Sequence, residues 1–282
     1  MKKYSLLIVL ILFFLQLAAV SAEKKYPQRI VSGMPSITEM LFALDLGDRV
    51  VGVTTNCDFP PAVKSKKKVG GFFLNLEAVA ALKPDLVLMV DSAQKREIEK
   101  FRAFGLPVQT IDPRSVDEVM SSLLALGSLT GSERQASRLV REMKARIDRA
   151  KPRWRGLEAI LSIPRVIVIV GYDPLVIAGG GTFIDDVVRT AGAANLAGRS
   201  NVPYPQYSFE KLLKDDPEYI IIPQGVVSRE KIRRERCWRD LRAVKSDNLL
   251  FIDEDILSRP GPRVADAVSI IAEFINNGKK TK

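Results

Sequence analysis

Hydrophobic and polar positions along the chain fall into two related patterns. The segment NLEAVAALKPDLVLMV, from Asn75, sets a polar residue before a short amphipathic stretch, then a proline, an acidic residue and an unbroken apolar run. The segment SFEKLLKDDPEYIIIPQ, from Ser208, repeats that order. Each predicts a capped helix stopped by proline and followed by a buried parallel strand. Proline cannot continue a helix, and a strand covered on both faces has no polar alternation. Glu77 matches Glu210, Pro84 matches Pro217 and Asp85 matches Glu218, each pair 133 positions apart. The constant offset predicts a repeated architecture.

Two further echoes extend the repeat. GLPVQTIDP (105–113) and DNLLFIDED (247–255) both read as short strands ending in Ile-Asp. RIVSGMPSITEMLFALDLG (29–47) and RVIVIVGYDPLVIAGGGTFIDDVVRTAG (165–192) both read as strand, small-residue loop and helix, with a longer loop in the second. Between the halves, SERQASRLVREMKARIDRAKPRW (132–154) brings Ala136, Leu139, Val140, Met143 and Ile147 to one helical face, with no glycine or proline before Pro152. This predicts a stiff helix of about 20 residues, roughly 30 Å long. The expected fold is α/β: an N-terminal lobe (28–128), one long linking helix (129–155) and a C-terminal lobe (156–282), each lobe built on a mainly parallel sheet.

The first residues do not fit that core. Lys2 and Lys3 precede an almost wholly apolar run from Leu6 to Ala19, and Val20-Ser21-Ala22 supplies small residues for cleavage. A run of about 14 residues is short for a membrane span, so 1–22 reads as a cleavable signal peptide and the expected location is the periplasm. No cysteine lies near the cleavage site, so lipid attachment is not expected. Cys57 and Cys237 fall in different lobes and are expected to remain free thiols.

Composition narrows the chemistry. The formal charge of +10 comes from 43 basic and 33 acidic residues, but the basic residues are dispersed and lack interleaved aromatics. They suggest a solvated basic surface and no nucleic-acid partner. The chain contains no histidine. Ser-His-Asp and Cys-His catalysis are thereby excluded, and a resident zinc or manganese site is not expected. No nucleophile motif stands in for them, so the chain is not expected to be an enzyme or to need a cofactor. Gly179-Gly180-Gly181 lacks the spacing of a phosphate-binding loop and reads as a turn.

At these strings the chain resembles the helical-backbone (class III) periplasmic substrate-binding proteins of ABC importers, which carry cobalamin, iron-siderophores, haem or metals on two Rossmann-like lobes. The resemblance rests on SGMPSITEMLFALDLGDRVVGVT, CDFPP, NLEAVAALKPDLVL, VPYPQYSFEKLL, the segment WRDLRAVKSDNLLFID and SRPGPRVADAV, and covers about residues 28–275. NVPYPQYSFE and the DFPP loop bring it nearest to the cobalamin-binding branch. It implies capture of a corrinoid (cobalamin) by a monomer that hands it to a permease; an iron-siderophore or haem binder is the second reading, and an exported hydrolase the reading from another class.

A ligand in such a fold lies between the lobes, at the carboxyl ends of the strands. Candidate contacts are Met34, Pro35, Asn56, Phe59, Phe72, Phe73, Tyr172, Pro174, Tyr204 and Arg259, an aromatic and apolar set suited to a broad ring system. Read as strand neighbours, Phe72 and Phe73 would point oppositely, with only one toward ligand. Tyr172 is expected in the loop after its strand. Tyr204, between Pro203 and Pro205, stands where the resemblance implies an aromatic platform, whereas Asn56 stands where cobalamin binders often carry tyrosine. Asp58 is expected to cap its own turn. Arg259 would serve an anionic siderophore, and Tyr172 or Tyr204 a haem iron. The resemblance further implies that Glu77 and Glu210 dock onto permease arginines.

Overall fold

The computed structural model describes residues 26–151 and 163–280; the segment read as a signal peptide (1–22) and the expected start of the second lobe at 156 lie outside the described residues. In the first half, β1 (Ile30–Ser32), α1 (Pro35–Ala43), β2 (Val50–Val53), β3 (Lys67–Lys68), α2 (Leu76–Ala81), β4 (Leu86–Met89), α3 (Asp91–Ala103), β5 (Val108–Thr110) and α4 (Val116–Thr130) follow in order. Their strands make one sheet in the order β3-β2-β1-β4-β5, every pair parallel. The central strands β1 and β4 are buried throughout, which is why LVLM carries no polar alternation.

The second half contains β6 (Arg165–Tyr172), β7 (Leu175–Ile177), α6 (Phe183–Thr190), β8 (Ala194–Asn195), α7 (Phe209–Asp215) and β9 (Tyr219–Pro223). Three short helices, α8 (Arg229–Arg234), α9 (Arg236–Arg239) and α10 (Arg242–Lys245), precede β10 (Leu249–Ile252), α11 (Glu254–Ser258) and α12 (Val264–Lys280). The sheet order is β10-β9-β6-β7, with β8 also on β6. All pairs are parallel except β6 with β7. Here the structure departs from the sequence reading. The longer loop of the second opening unit is a β-hairpin: β6 runs on through Tyr172, turns at Asp173-Pro174, and returns antiparallel as Leu175–Ile177.

The repeat holds at the level of single hydrogen bonds. Asp85 accepts the backbone N–H groups of Gln28 and Arg29, and Glu218 accepts that of Arg165. The Arg29 guanidinium donates to the carbonyls of Leu82 and Lys83; that of Arg165 donates to those of Asp215 and Asp216. Each lobe thus ties the start of its first strand to the end of the helix that precedes a neighbouring strand of the sheet, β4 or β9. The left-handed residues Lys83 and Asp216 stop those helices at matched positions.

Between the lobes, α4 ends on the left-handed Gly131, and α5 (Glu133–Ala150) runs 18 residues, about 27 Å. It buries Ala136, Val140, Met143 and Ile147 and packs against α4 of the first half and α12 of the second. One apolar cluster therefore runs from β1 and β4, through α4, α5 and α12, to β6 and β9. The outer face of each sheet carries its own separate cluster. Among the described residues, no helix is long and apolar enough to cross a membrane.

Candidate functional site

Two arginines join the lobes where their strands end. Glu39, the one acidic residue of α1, is only 3% exposed. Arg263 reaches it from the second lobe in a bidentate pair, Nε to Oε2 at 2.9 Å and Nη2 to Oε1 at 2.6 Å. Arg259 adds Nη1 to Glu39 Oε1 at 3.3 Å, and binds Asp58 (Nη1 to Oδ1, 2.7 Å) and Asp255 (Nη2 to Oδ1, 2.7 Å). The hydrogen bond from Arg259 holds the Asp58 carboxyl below its ordinary value. Burial pushes that of Asp255 up. Asp58, expected to brace its own turn, instead crosses to the other lobe. The middle of α1 and the loop after β2 therefore face the segment after β10.

This arrangement changes the reading of Arg259. Three carboxylates, Glu39, Asp58 and Asp255, surround it, and only two guanidiniums balance them. An anionic ligand would have to displace one of its own side chains. Beside the ion pairs, Arg263 lies 4.2 Å above the Phe59 ring, a cation–π contact. Phe59 and Pro60 close one side of a recess of about 220 Å³ with Glu39, Phe42, Ala43, Pro262 and Arg263. That volume is below the roughly 300–1,000 Å³ of ligand pockets, so the recess is not the cleft itself.

Large apolar rings stand out from loops of both lobes. Phe59, Phe72, Phe73 and Tyr204 are between 41% and 61% exposed. Phe72 and Phe73 lie in a bend rather than a strand, so the expected alternation does not apply; both rings project, edge to face at 5.1 Å. Tyr204 rides on a loop strapped to the edge of β7: Gly179 N donates to Pro203 O at 2.8 Å and Ile177 N to Pro205 O at 3.2 Å. The strap requires the glycines. A Cβ on Gly179 would meet Val202 O at 2.5 Å, and one on Gly180 would meet Gly198 O at 2.2 Å. The triple glycine is a packed turn, as its spacing suggested, and Thr182 caps α6 after it. Met34 and Pro35 are half-buried at the opening of α1, while Asn56 and Pro174 are exposed at loop tips.

Tyr172 differs from expectation. It ends a strand, its hydroxyl donates to Glu235, its ring lies near-parallel to Trp238 at 6.3 Å, and Lys231 Nζ sits 4.1 Å over it. Burial, with the Glu235 bond, pushes its pKa up to about 12. Its hydroxyl and ring are thus engaged within its own lobe. The cysteines are both free: Cys57 is buried between Thr38 and Thr54, and Cys237 sits beside Glu235. Among the described residues, no cluster of three or more His, Cys, Asp or Glu is arranged to hold a metal.

Glu77 and Glu210 occupy the same position of their helices. Asn75 caps α2 through Ala78 N, and Ser208 caps α7 through Lys211 N; each glutamate is the second residue after its cap and is exposed. Neither carboxylate has a described partner within its lobe that would explain its place beyond the helix dipole.

One residue the sequence reading missed holds the Phe72–Phe73 loop. Gln94, fully buried on α3, donates from Nε2 to Phe72 O at 2.9 Å and to Gly33 O at 3.2 Å, and accepts from Val90 N at 3.0 Å. Its local signal is a glutamine five residues after the strand end, reaching back to the helix cap from one position later than in a capping box.

Comparison with known proteins agrees with this architecture. The family model described as periplasmic binding protein matches residues 30–256. An uncharacterized ABC transporter substrate-binding lipoprotein, YvrC, of Bacillus subtilis (strain 168) is 35% identical over 261 residues, covering 89% of this chain and 81% of its own. A vitamin B12-binding protein of Pectobacterium carotovorum subsp. carotovorum (strain PC1) is 31% identical over 243 residues, 84% of each chain. A crystal structure of a possible iron-binding periplasmic solute-binding protein from Staphylococcus epidermidis ATCC 12228 superposes with a TM-score of 0.76 at 29% identity, covering 89% of this chain and 99% of that one. The parallel sheets, the helix between the lobes and these matches lead to one conclusion: the chain belongs to the periplasmic binding protein family, as a substrate-binding protein of an ABC importer.

Proposed function

We propose that the protein captures a corrinoid, cobalamin itself or a close relative, in the periplasm and delivers it to an ABC permease that docks on Glu77 and Glu210. The observation that carries the choice of ligand is the pairing of exposed rings with a neutralised arginine. Phe59, Phe72, Phe73 and Tyr204 offer apolar area to a broad ring, while Arg259 is already surrounded by carboxylates. That combination suits a large ligand without carboxylates better than an anionic siderophore or a haem with its propionates. Haem also lacks an evident axial ligand here. The chain has no histidine, the Tyr172 hydroxyl is bound to Glu235, and burial raises the Tyr204 pKa, disfavouring tyrosinate. The contacts we assign are Met34, Pro35, Asn56, Phe59, Phe72, Phe73 and Tyr204; Arg259 acts between the lobes, and Tyr172 and Pro174 shape the hairpin beside the cleft. Binding is non-covalent and needs no resident cofactor.

The test is direct. Purified protein is mixed with cyanocobalamin, haemin or ferric siderophores, desalted, and the co-eluting visible spectrum read. Corrin bands are expected. Haem or siderophore bands would replace the ligand assignment. Tyr204→Ala is expected to weaken corrinoid binding about ten-fold, the scale of one lost aromatic contact, with little change in unfolding midpoint because the ring is half exposed. An unchanged dissociation constant would remove Tyr204 from the site.

A further inference from the structure

We infer that Gln94 is a positioning residue for ligand retention: its buried amide fixes the Phe72–Phe73 loop, and through Phe72 it sets how slowly the ligand leaves. The inference rests on the cleft reading above. Three independent loops meet at this one side chain. Gly33 follows β1, Phe72 follows β3, and Val90 follows β4, and each gives Gln94 one backbone hydrogen bond. All three loops lie at the carboxyl edge of the sheet, where the assigned contacts Met34 and Phe72–Phe73 sit. At Gln94 itself α3 departs from helical geometry (φ −128°, ψ 25°).

The loop needs such an anchor. Phe72 and Phe73 are exposed large rings, and water favours their collapse onto any apolar surface within reach. The base of the bend is held by Thr55 N to Gly70 O and Asn75 N to Val69 O, both at 2.8 Å. Its tip is held from beneath by Gln94 Nε2 on the Phe72 carbonyl. A ring fixed before binding loses less conformational freedom when the ligand arrives, which lengthens residence. Without the amide, the Phe72 and Gly33 carbonyls and the Val90 N–H lose their shared partner, and the loop can reorient.

Cyanocobalamin dissociation is to be followed by competition for the wild-type protein, Gln94→Ala, Phe72→Ala and the double variant. Gln94→Ala is expected to speed dissociation about ten-fold, and less than two-fold when Phe72 is already alanine. An equal effect in both backgrounds, or a lower unfolding midpoint with unchanged dissociation, overturns the inference. If Gln94→Ala does not fold, Gln94→Met, matched in length and lacking all three hydrogen bonds, takes its place. If the wild-type protein retains no corrinoid, the cleft reading fails and hydrogen exchange decides about Gln94. Selective loss of protection at the Thr55 and Asn75 amides, with Ile167 in the other lobe unchanged, supports it; uniform loss throughout the protein overturns it.

Discussion

Glu39→Ala is expected to lower the unfolding free energy by about 3–5 kcal/mol, the range found when one partner of a buried ion pair is deleted. The size follows from what remains. Arg263 loses its bidentate carboxylate and keeps the Phe59 ring beneath it, and Arg259 loses one of its three carboxylates, while both arginine side chains are less than one-fifth exposed. Asp58→Ala removes a contact of the same cluster but is expected to cost less than about 1 kcal/mol, because the Asp58 side chain is 58% exposed and water screens the pair. Denaturant midpoints and slopes for the two variants measure the contrast. Equal costs would mean that burial does not govern the connection between the lobes. The pH dependence has a definite sign. Asp58 has a folded pKa below the ordinary 3.8, so its contribution is fully present above that value and is lost as pH falls through the lower folded one. Asp58 should therefore leave stability flat above about pH 5 and reduce it only in acid.

The second large effect is functional. Glu77→Ala with Glu210→Ala is expected to abolish delivery to the permease, by at least about 100-fold in uptake, while corrinoid binding stays within two-fold of wild type. Each carboxylate would meet a partner charge at the edge of the assembly, and truncating one member of such a pair costs about 2–5 kcal/mol when it is desolvated. In the proposed docking, two contacts, one per lobe, would fix the protein over the transporter in one orientation. Each single variant should therefore fall between wild type and the double. Folding is insulated, since both side chains are exposed and only a helix-dipole contribution of about 0.3–1 kcal/mol is lost at each. Uptake of labelled cobalamin, alongside a dissociation constant for the free protein, separates the two functions. Normal uptake by the double variant refutes the docking role.

Much of the fold was legible because its signals are local. The cap, glutamate, proline and apolar run of 75–90 and 208–224 specify helix and strand without knowledge of distant residues, and the constant offset exposed the repeat. The long helix was equally readable from its apolar spacing. The hairpin was not: Leu175–Ile177 is too short a strand to show alternation, and its pairing with β6 is a tertiary choice. The site was read less completely. Aromatic loop residues stand out by composition, and Phe59, Phe72, Phe73 and Tyr204 are indeed exposed. Nothing near Glu39 in sequence announces arginines 220 and 224 positions away. Arg259 was read as a ligand contact for the same reason. Gln94 was missed because its role depends on three loops that converge only in the folded sheet.

The pairing of Glu39 with Arg263 also bears on the order in which the molecule is made. Translation delivers α1 early and Arg263 224 residues later. Until Arg259 and Arg263 emerge, the Glu39 carboxylate has neither of its guanidinium partners and must stay hydrated, so the face that will join the other half is kept wet. The short segment from Arg259 to Arg263 is what seals the first helix, so that seal closes only after both sheets have been made.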